Sequence, residues 1–154
     1  MALSGERPSY LEIRWQVEKW MLLRLTNFGT QLSFGSGETI VTEGEPGDGL
    51  FLILAGTAQV LQRADSDTPK LIATLGPFRS FGEISILVDQ PRSATIVAAG
   101  PLRCVKLTRR QLALVEERDP ALAIQLYRLV AQSLARSLSA LSGPPPGDPP
   151  KPRA

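Results

Sequence analysis

Phe81-Gly82-Glu83-Ile84-Ser85-Ile86-Leu87-Val88-Asp89-Gln90-Pro91-Arg92-Ser93-Ala94-Thr95 places Glu83 and Arg92 nine residues apart in a segment that is otherwise mostly apolar. Gly82 lets a neighbouring backbone approach closely. Residues 84–88 fit a single helical turn whose leading N–H groups point outward. Taken as an isolated pair, Glu83 and Arg92 read equally as a surface ion pair, which contributes little, set beside core residues Phe81, Ile84, Ile86 and Leu87.

On either side of this segment the chain is built from short β-rich runs. They cover residues 30–34, 39–42, 50–54, 57–63, 70–75, 94–98 and 102–107, with glycine and proline between them. Gly35-Ser36-Gly37, the stretch from Gly44 to Gly49, and Gly56 mark reversals, because glycine tolerates positive φ. Turn signals at such intervals predict a sandwich or barrel. The fold expected is mainly β, an eight-stranded jelly-roll β-barrel with an N-terminal helix and C-terminal helices.

The opening stretch resembles the phosphate-binding cassette of cyclic nucleotide-binding domains, whose pattern is F-G-E, a short apolar helix, then P-R-x-A-T. Upstream, Gly37-Glu38-Thr39-Ile40, Glu43-Gly44, Gly47-Asp48, Phe51-Leu52-Ile53 and Gly56 follow the family's order as well. The resemblance covers about residues 29–140. It implies that Arg92 holds the phosphate, since a guanidinium donates paired hydrogen bonds and stays charged when partly buried. Glu83 would accept from the ribose 2'-hydroxyl, and the backbone N–H groups of Ser85 and Ser93 would meet phosphate oxygens. Phe81, Gly82, Ile84 and Ala94 complete the expected ligand-binding set. In this family a threonine directly after the arginine accompanies cyclic GMP preference. Ser93 has a shorter reach, so the expected ligand is cyclic AMP (cAMP), with cyclic GMP (cGMP) kept open.

After Thr108 the pattern becomes helical. Thr108 can cap a helix to about Glu117, and Asp119-Pro120 supplies a cap and first-turn proline for a second. In that second helix Leu122, Leu126 and Leu129, and Tyr127, Ala131, Leu134, Leu138 and Leu141, form apolar stripes. Gln125, Arg128, Gln132, Arg136 and Ser139 take the opposite face. By the resemblance these helices form a lid, and Tyr127 is expected to stack on the purine. Packing is its alternative role.

A chain of 154 residues, 43% hydrophobic, can bury one real core and is too short for two comfortable domains. The expected organisation is an N-terminal helical segment over 1–28, containing a helix from 9 to 25. A cyclic nucleotide-binding domain follows over 29–142, with its β-roll at 29–107 and its helices at 108–142. A Pro-rich disordered tail occupies 143–154. Net charge is +2, too small and dispersed for a nucleic-acid footprint. The single Cys104 excludes an internal disulfide and fits a reducing compartment. No apolar run reaches membrane-spanning length, and residues 1–8 lack a signal-peptide layout.

The absence of histidine, metal-ligand spacing, G-x-S-x-G and a Walker-type loop argues against an enzyme, so no catalytic residue, metal or cofactor is expected. A polyproline stretch stands where a DNA-binding helix-turn-helix would follow. The sequence therefore reads as a cytoplasmic sensor whose partners are a cyclic nucleotide and an effector domain of the same or another chain. A homodimer through the C-terminal helix is compatible with its heptad-like stripe. A ligand-free interaction module remains the alternative. Residues 11–25, the helix opened by Asp119-Pro120 and the proline tail also resemble the soluble ends of sulfate-permease-type transporters, which would make the chain the cytosolic end of a larger membrane protein.

Overall fold

The computed structural model describes residues 19–142, with side chains described as far as residue 139. Residues 19–25 are helical (α1), the end of the helix expected over 9–25. The rest of that helix and the proline tail lie outside the described residues.

Eight strands follow: β1 (Thr30–Phe34), β2 (Thr39–Val41), β3 (Gly49–Ala55), β4 (Ala58–Gln62), β5 (Lys70–Leu75), β6 (Ser80–Phe81), β7 (Thr95–Ala98) and β8 (Leu102–Thr108). The five-residue helix α2 (Glu83–Leu87) interrupts them. Helices α3 (Arg109–Arg118) and α4 (Pro120–Ser142) complete the described chain. Seven strands coincide with the predicted runs to within two residues at either end. The eighth, β6, is only two residues long and carries too little alternation to be read.

The strands pair as two four-stranded antiparallel sheets, β1-β8-β3-β6 and β2-β7-β4-β5. The eight strands and flanking helices bear out the mainly β expectation. The ladders run within each sheet, and closure of the two into one barrel is not shown. Gly56, at φ 92°, reverses the chain between β3 and β4, where an added Cβ would stand 2.9 Å from Leu102 Cα.

Strand β3 explains the layering. Its alternate residues face opposite ways, and both faces are buried. Leu50 and Leu52 join Met21, Leu22 and Leu25 of α1, Val105 and Leu107 of β8, and the inner faces of α3 and α4. Phe51 and Ile53 meet Ala58, Leu75, Phe81, Ile96, Leu102 and Cys104 between the sheets. The β1-β8-β3-β6 sheet is thus the middle layer, with helices outside it and the second sheet inside. Cys104 is fully buried there, and burial pushes its thiol up to about 11, so packing is what it does.

The helical end is set by caps. Thr108 Oγ1 accepts from Gln111 N, and Gln111 Oε1 accepts from Thr108 N, a reciprocal capping box. Asp119 Oδ1 accepts from Leu122 N, with Pro120 in the first turn of α4. Among the described residues, no helix is long and apolar enough to cross a membrane.

Candidate functional site

Strand β6 delivers the chain to Gly82, whose φ of 82° lies in the left-handed region that glycine occupies at least cost. An added Cβ there would fall on Arg92 Nη1 and within 2.8 Å of the Gly49 carbonyl. The helix that follows is inverted with respect to an ordinary core element. Its buried residues are Glu83 and Ser85, whereas Ile84 is 37% and Leu87 50% exposed. Apolar burial alone would orient α2 the other way. Polar side chains are buried here instead.

Arg92 is one such group. Its backbone is clamped by the 44–45 turn: Arg92 N donates to Glu45 O at 2.9 Å, and Gly44 N donates to Arg92 O at 2.8 Å. Its side chain is only 7% exposed. Nη1 donates to Gly49 O at 3.0 Å and Gly82 O at 3.3 Å, and Cζ lies 5.6 Å from the centre of the Phe51 ring. That ring stacks on Phe81 with centroids 4.8 Å apart. Gly47 closes the cradle: a Cβ there would meet Arg92 Nε at 2.5 Å and Ser85 Oγ at 2.6 Å. Burial lowers the guanidinium from its ordinary value, opposed by Asp48 and Glu83. A guanidinium remains charged across the physiological range.

Glu83 is 8% exposed, and its Oε2 has no hydrogen-bond partner among the described residues. Burial pushes its carboxyl up to about 6, against a backbone hydrogen bond and the charges of Arg79 and Arg92. Ser80 Oγ is likewise buried without a partner. An unsatisfied buried acceptor costs free energy. Both orphaned oxygens belong to residues lining one cavity of about 210 Å³.

That cavity gathers Phe81, Gly82, Glu83, Ile84, Ser85, Arg92, Ser93 and Ala94, eight of the nine residues expected from the sequence. Val41, Val60, Ile72, Leu75 and Ile96 form an apolar wall, and Leu134 and Ser137 of α4 also line it. The arrangement suits a small ligand with an anionic end, hydroxyls nearby and a flat apolar body.

Over residues 31–119, more than half of its length, the sequence matches the cyclic nucleotide-binding domain family. The chain belongs to that family. Among solved structures, it is similar to a cyclic nucleotide-binding domain from Methylobacillus flagellatus, at 27% identity with a TM-score of 0.68, over 90% of this chain and 73% of that one. It is similar to the catabolite activator protein of Thermus thermophilus at 25% identity and TM-score 0.65, over 80% of this chain and 58% of that one. A third is a variant regulatory subunit of a cAMP-independent protein kinase A from Trypanosoma brucei, bound to cAMP in its A site. There the identity is 27% and the TM-score 0.57, over 78% of this chain and 40% of that one.

The cyclic nucleotide-binding domain differs from its sequence reading at Tyr127. That residue is not among those lining the cavity. It packs half-buried against the helix-side core, and its hydroxyl donates to Glu116 Oε1 of α3. Burial, with the neighbouring carboxylate, pushes the phenol up to about 12. The α4 residues at the cavity lie two turns further on, at Leu134 and Ser137. Helical periodicity puts 127 and 134 on one stripe but cannot say which turn crosses the site. Sequence reasoning also passed over Arg79, which donates to Ser133 and Ser137 of α4. No motif marks it.

Proposed function

We propose that this domain is a regulatory sensor that binds a cyclic nucleotide, cAMP by preference, and relays binding through α3 and α4. The observation that carries the reading is the inverted helix α2, which turns Glu83 and Ser85 inward beside Arg92 while leaving Ile84 and Leu87 in solvent. Arg92 takes the phosphate and Glu83 Oε2 the ribose hydroxyl. The apolar wall of Val41, Val60, Ile72 and Ile96 takes the ribose and base. Leu134 and Ser137, in place of Tyr127, face the base from α4. The preference for cAMP rests on Ser93, which stands where a threonine would accompany cGMP preference. Ligand shifts α4 only by its differential affinity for two arrangements of that helix. Its effector is a domain of the same or another chain, in the cytoplasm or at the cytosolic end of a larger membrane protein.

Calorimetric titration with cAMP and cGMP tests this. Removing one partner of a buried charged pair costs about 2–5 kcal/mol, so Arg92→Ala weakens binding at least about thirty-fold, and Glu83→Ala weakens it in the same sense. In the same series Ser93→Thr moves preference toward cGMP, and an unchanged ratio of affinities removes Ser93 from the argument. A wild type that binds neither nucleotide leaves the second reading, a ligand-free module docking through α4. That reading is favoured by Ile124 at 54% and Leu138 at 64% exposure, and a second copy of the chain is one such partner.

A further inference from the structure

Ser137, which lines the cavity, belongs to a polar network that holds α4 to the sheet and whose other members, Arg79 and Ser133, have no part in the nucleotide reading. Arg79, immediately before β6, donates from Nε to Ser133 Oγ at 3.3 Å and from Nη2 to Ser133 O at 3.4 Å and Ser137 Oγ at 3.3 Å. Ser133, 2% exposed, passes its own proton to Ser80 O at 3.2 Å, and Ser137 Oγ donates to Ser133 O at 3.1 Å. One guanidinium and two hydroxyls thus join a single turn of α4 to the strand that leads directly into Gly82 and Glu83.

We propose that Arg79 is a positioning residue: it latches the 133–137 turn of α4 over the cavity, fixes the Ser137 hydroxyl in the wall, and couples that turn to the Glu83 end of the site. The apolar packing of α4 is concentrated before this turn, at Leu122, Ala123, Leu126, Leu129 and Val130. Beyond it Arg136, Leu138 and Ser139 are exposed. Hydrophobic burial therefore dominates in the first half of the helix, while the half that reaches the site has the latch and the partly buried Leu134. Ser137 has a fixed direction because both its acceptor, the Ser133 carbonyl, and its donor, Arg79, belong to the network. Through the same charge, Arg79 also favours ionised Glu83.

Amide hydrogen exchange on the full chain, with no nucleotide added, reads the latch separately from ligand binding. Arg79→Ala is expected to speed exchange of α4 amides from about 131 to 139 at least tenfold, while amides of β3, β8 and the first half of α4 keep wild-type protection. Ser133→Ala, which removes one acceptor but keeps the backbone carbonyl, gives a smaller increase at the same amides. If the 131–139 amides are unchanged in Arg79→Ala, or if protection falls evenly over the whole fold in both variants, the latch is wrong. The affinity arm alone rests on the nucleotide reading. There, Arg79→Ala weakens cAMP binding about tenfold, Arg79→Lys recovers little because a lysine has no fork, and Ser137→Ala adds less in the Arg79→Ala background than alone. Full additivity of the two substitutions would contradict the proposed coupling. A wild type without affinity for cAMP would overturn the function proposed above and leave the exchange result to judge the latch.

Discussion

Glu83 is a buried carboxyl that costs the fold stability. A carboxyl raised to about 6 from an ordinary 4.5 is raised by burial first. Between those two values the folded chain keeps a proton that the unfolded chain has lost, so stability falls as pH rises through that window and stays lower above it. The difference is worth about 2 kcal/mol at neutral pH. Glu83→Gln removes the charge without the volume. We predict that it raises Tm above pH 6, has little effect near pH 4, and still weakens nucleotide binding. Wild-type affinity for cAMP should also climb by up to roughly tenfold between pH 5 and 7, as Glu83 ionises to become the better acceptor, with a flat profile in Glu83→Gln. A variant less stable than wild type at pH 7.5 would mean that Glu83 is a structural partner and not a reserved one. The identities of Glu83 and Arg92 were legible in the sequence because they sit at fixed offsets from Gly82 and Pro91. The orphaned Oε2 was not, since satisfaction of a buried atom depends on every element around it.

Elements were legible in proportion to how local their causes are. The capping box of Thr108 and Gln111 and the Asp119-Pro120 start of α4 follow from a few consecutive residues, and the structure places both where those residues predict. Helix α2 begins one residue earlier than predicted because left-handed Gly82 stands at its cap. It is also tied from outside. Arg109 of α3 donates to Ser85 O and pairs with Asp89, each at 2.6 Å, a link across 24 and 20 positions that no local pattern carries. Tyr127 belongs to the same class of long-range effect. Its hydroxyl ties α4 to α3 through Glu116, so Tyr127→Phe should leave cAMP affinity within about twofold and lower stability by about 1 kcal/mol, read by titration and thermal unfolding. A loss of affinity above tenfold would return the ring to the ligand.

At the scale of the whole molecule, two apolar interiors share strand β3, one against the helices and one between the sheets. The β-rich runs between turn residues predicted seven of the eight strands, but the pairing of β1 with β8, and of β3 with both β8 and β6, joins residues far apart in sequence. Such pairings are set by the fit of the whole core. Helix α4 reaches both regions: its first half packs on the helix-side face of that sheet, and Leu134 and Ser137 further along line the cavity. The most direct measurement is a crystal structure of the full chain with cAMP bound. It should show phosphate oxygens within about 3 Å of the Arg92 guanidinium and the ribose hydroxyl on Glu83 Oε2. Nucleotide bound elsewhere, or Arg92 and Glu83 turned away from it, would contradict the account.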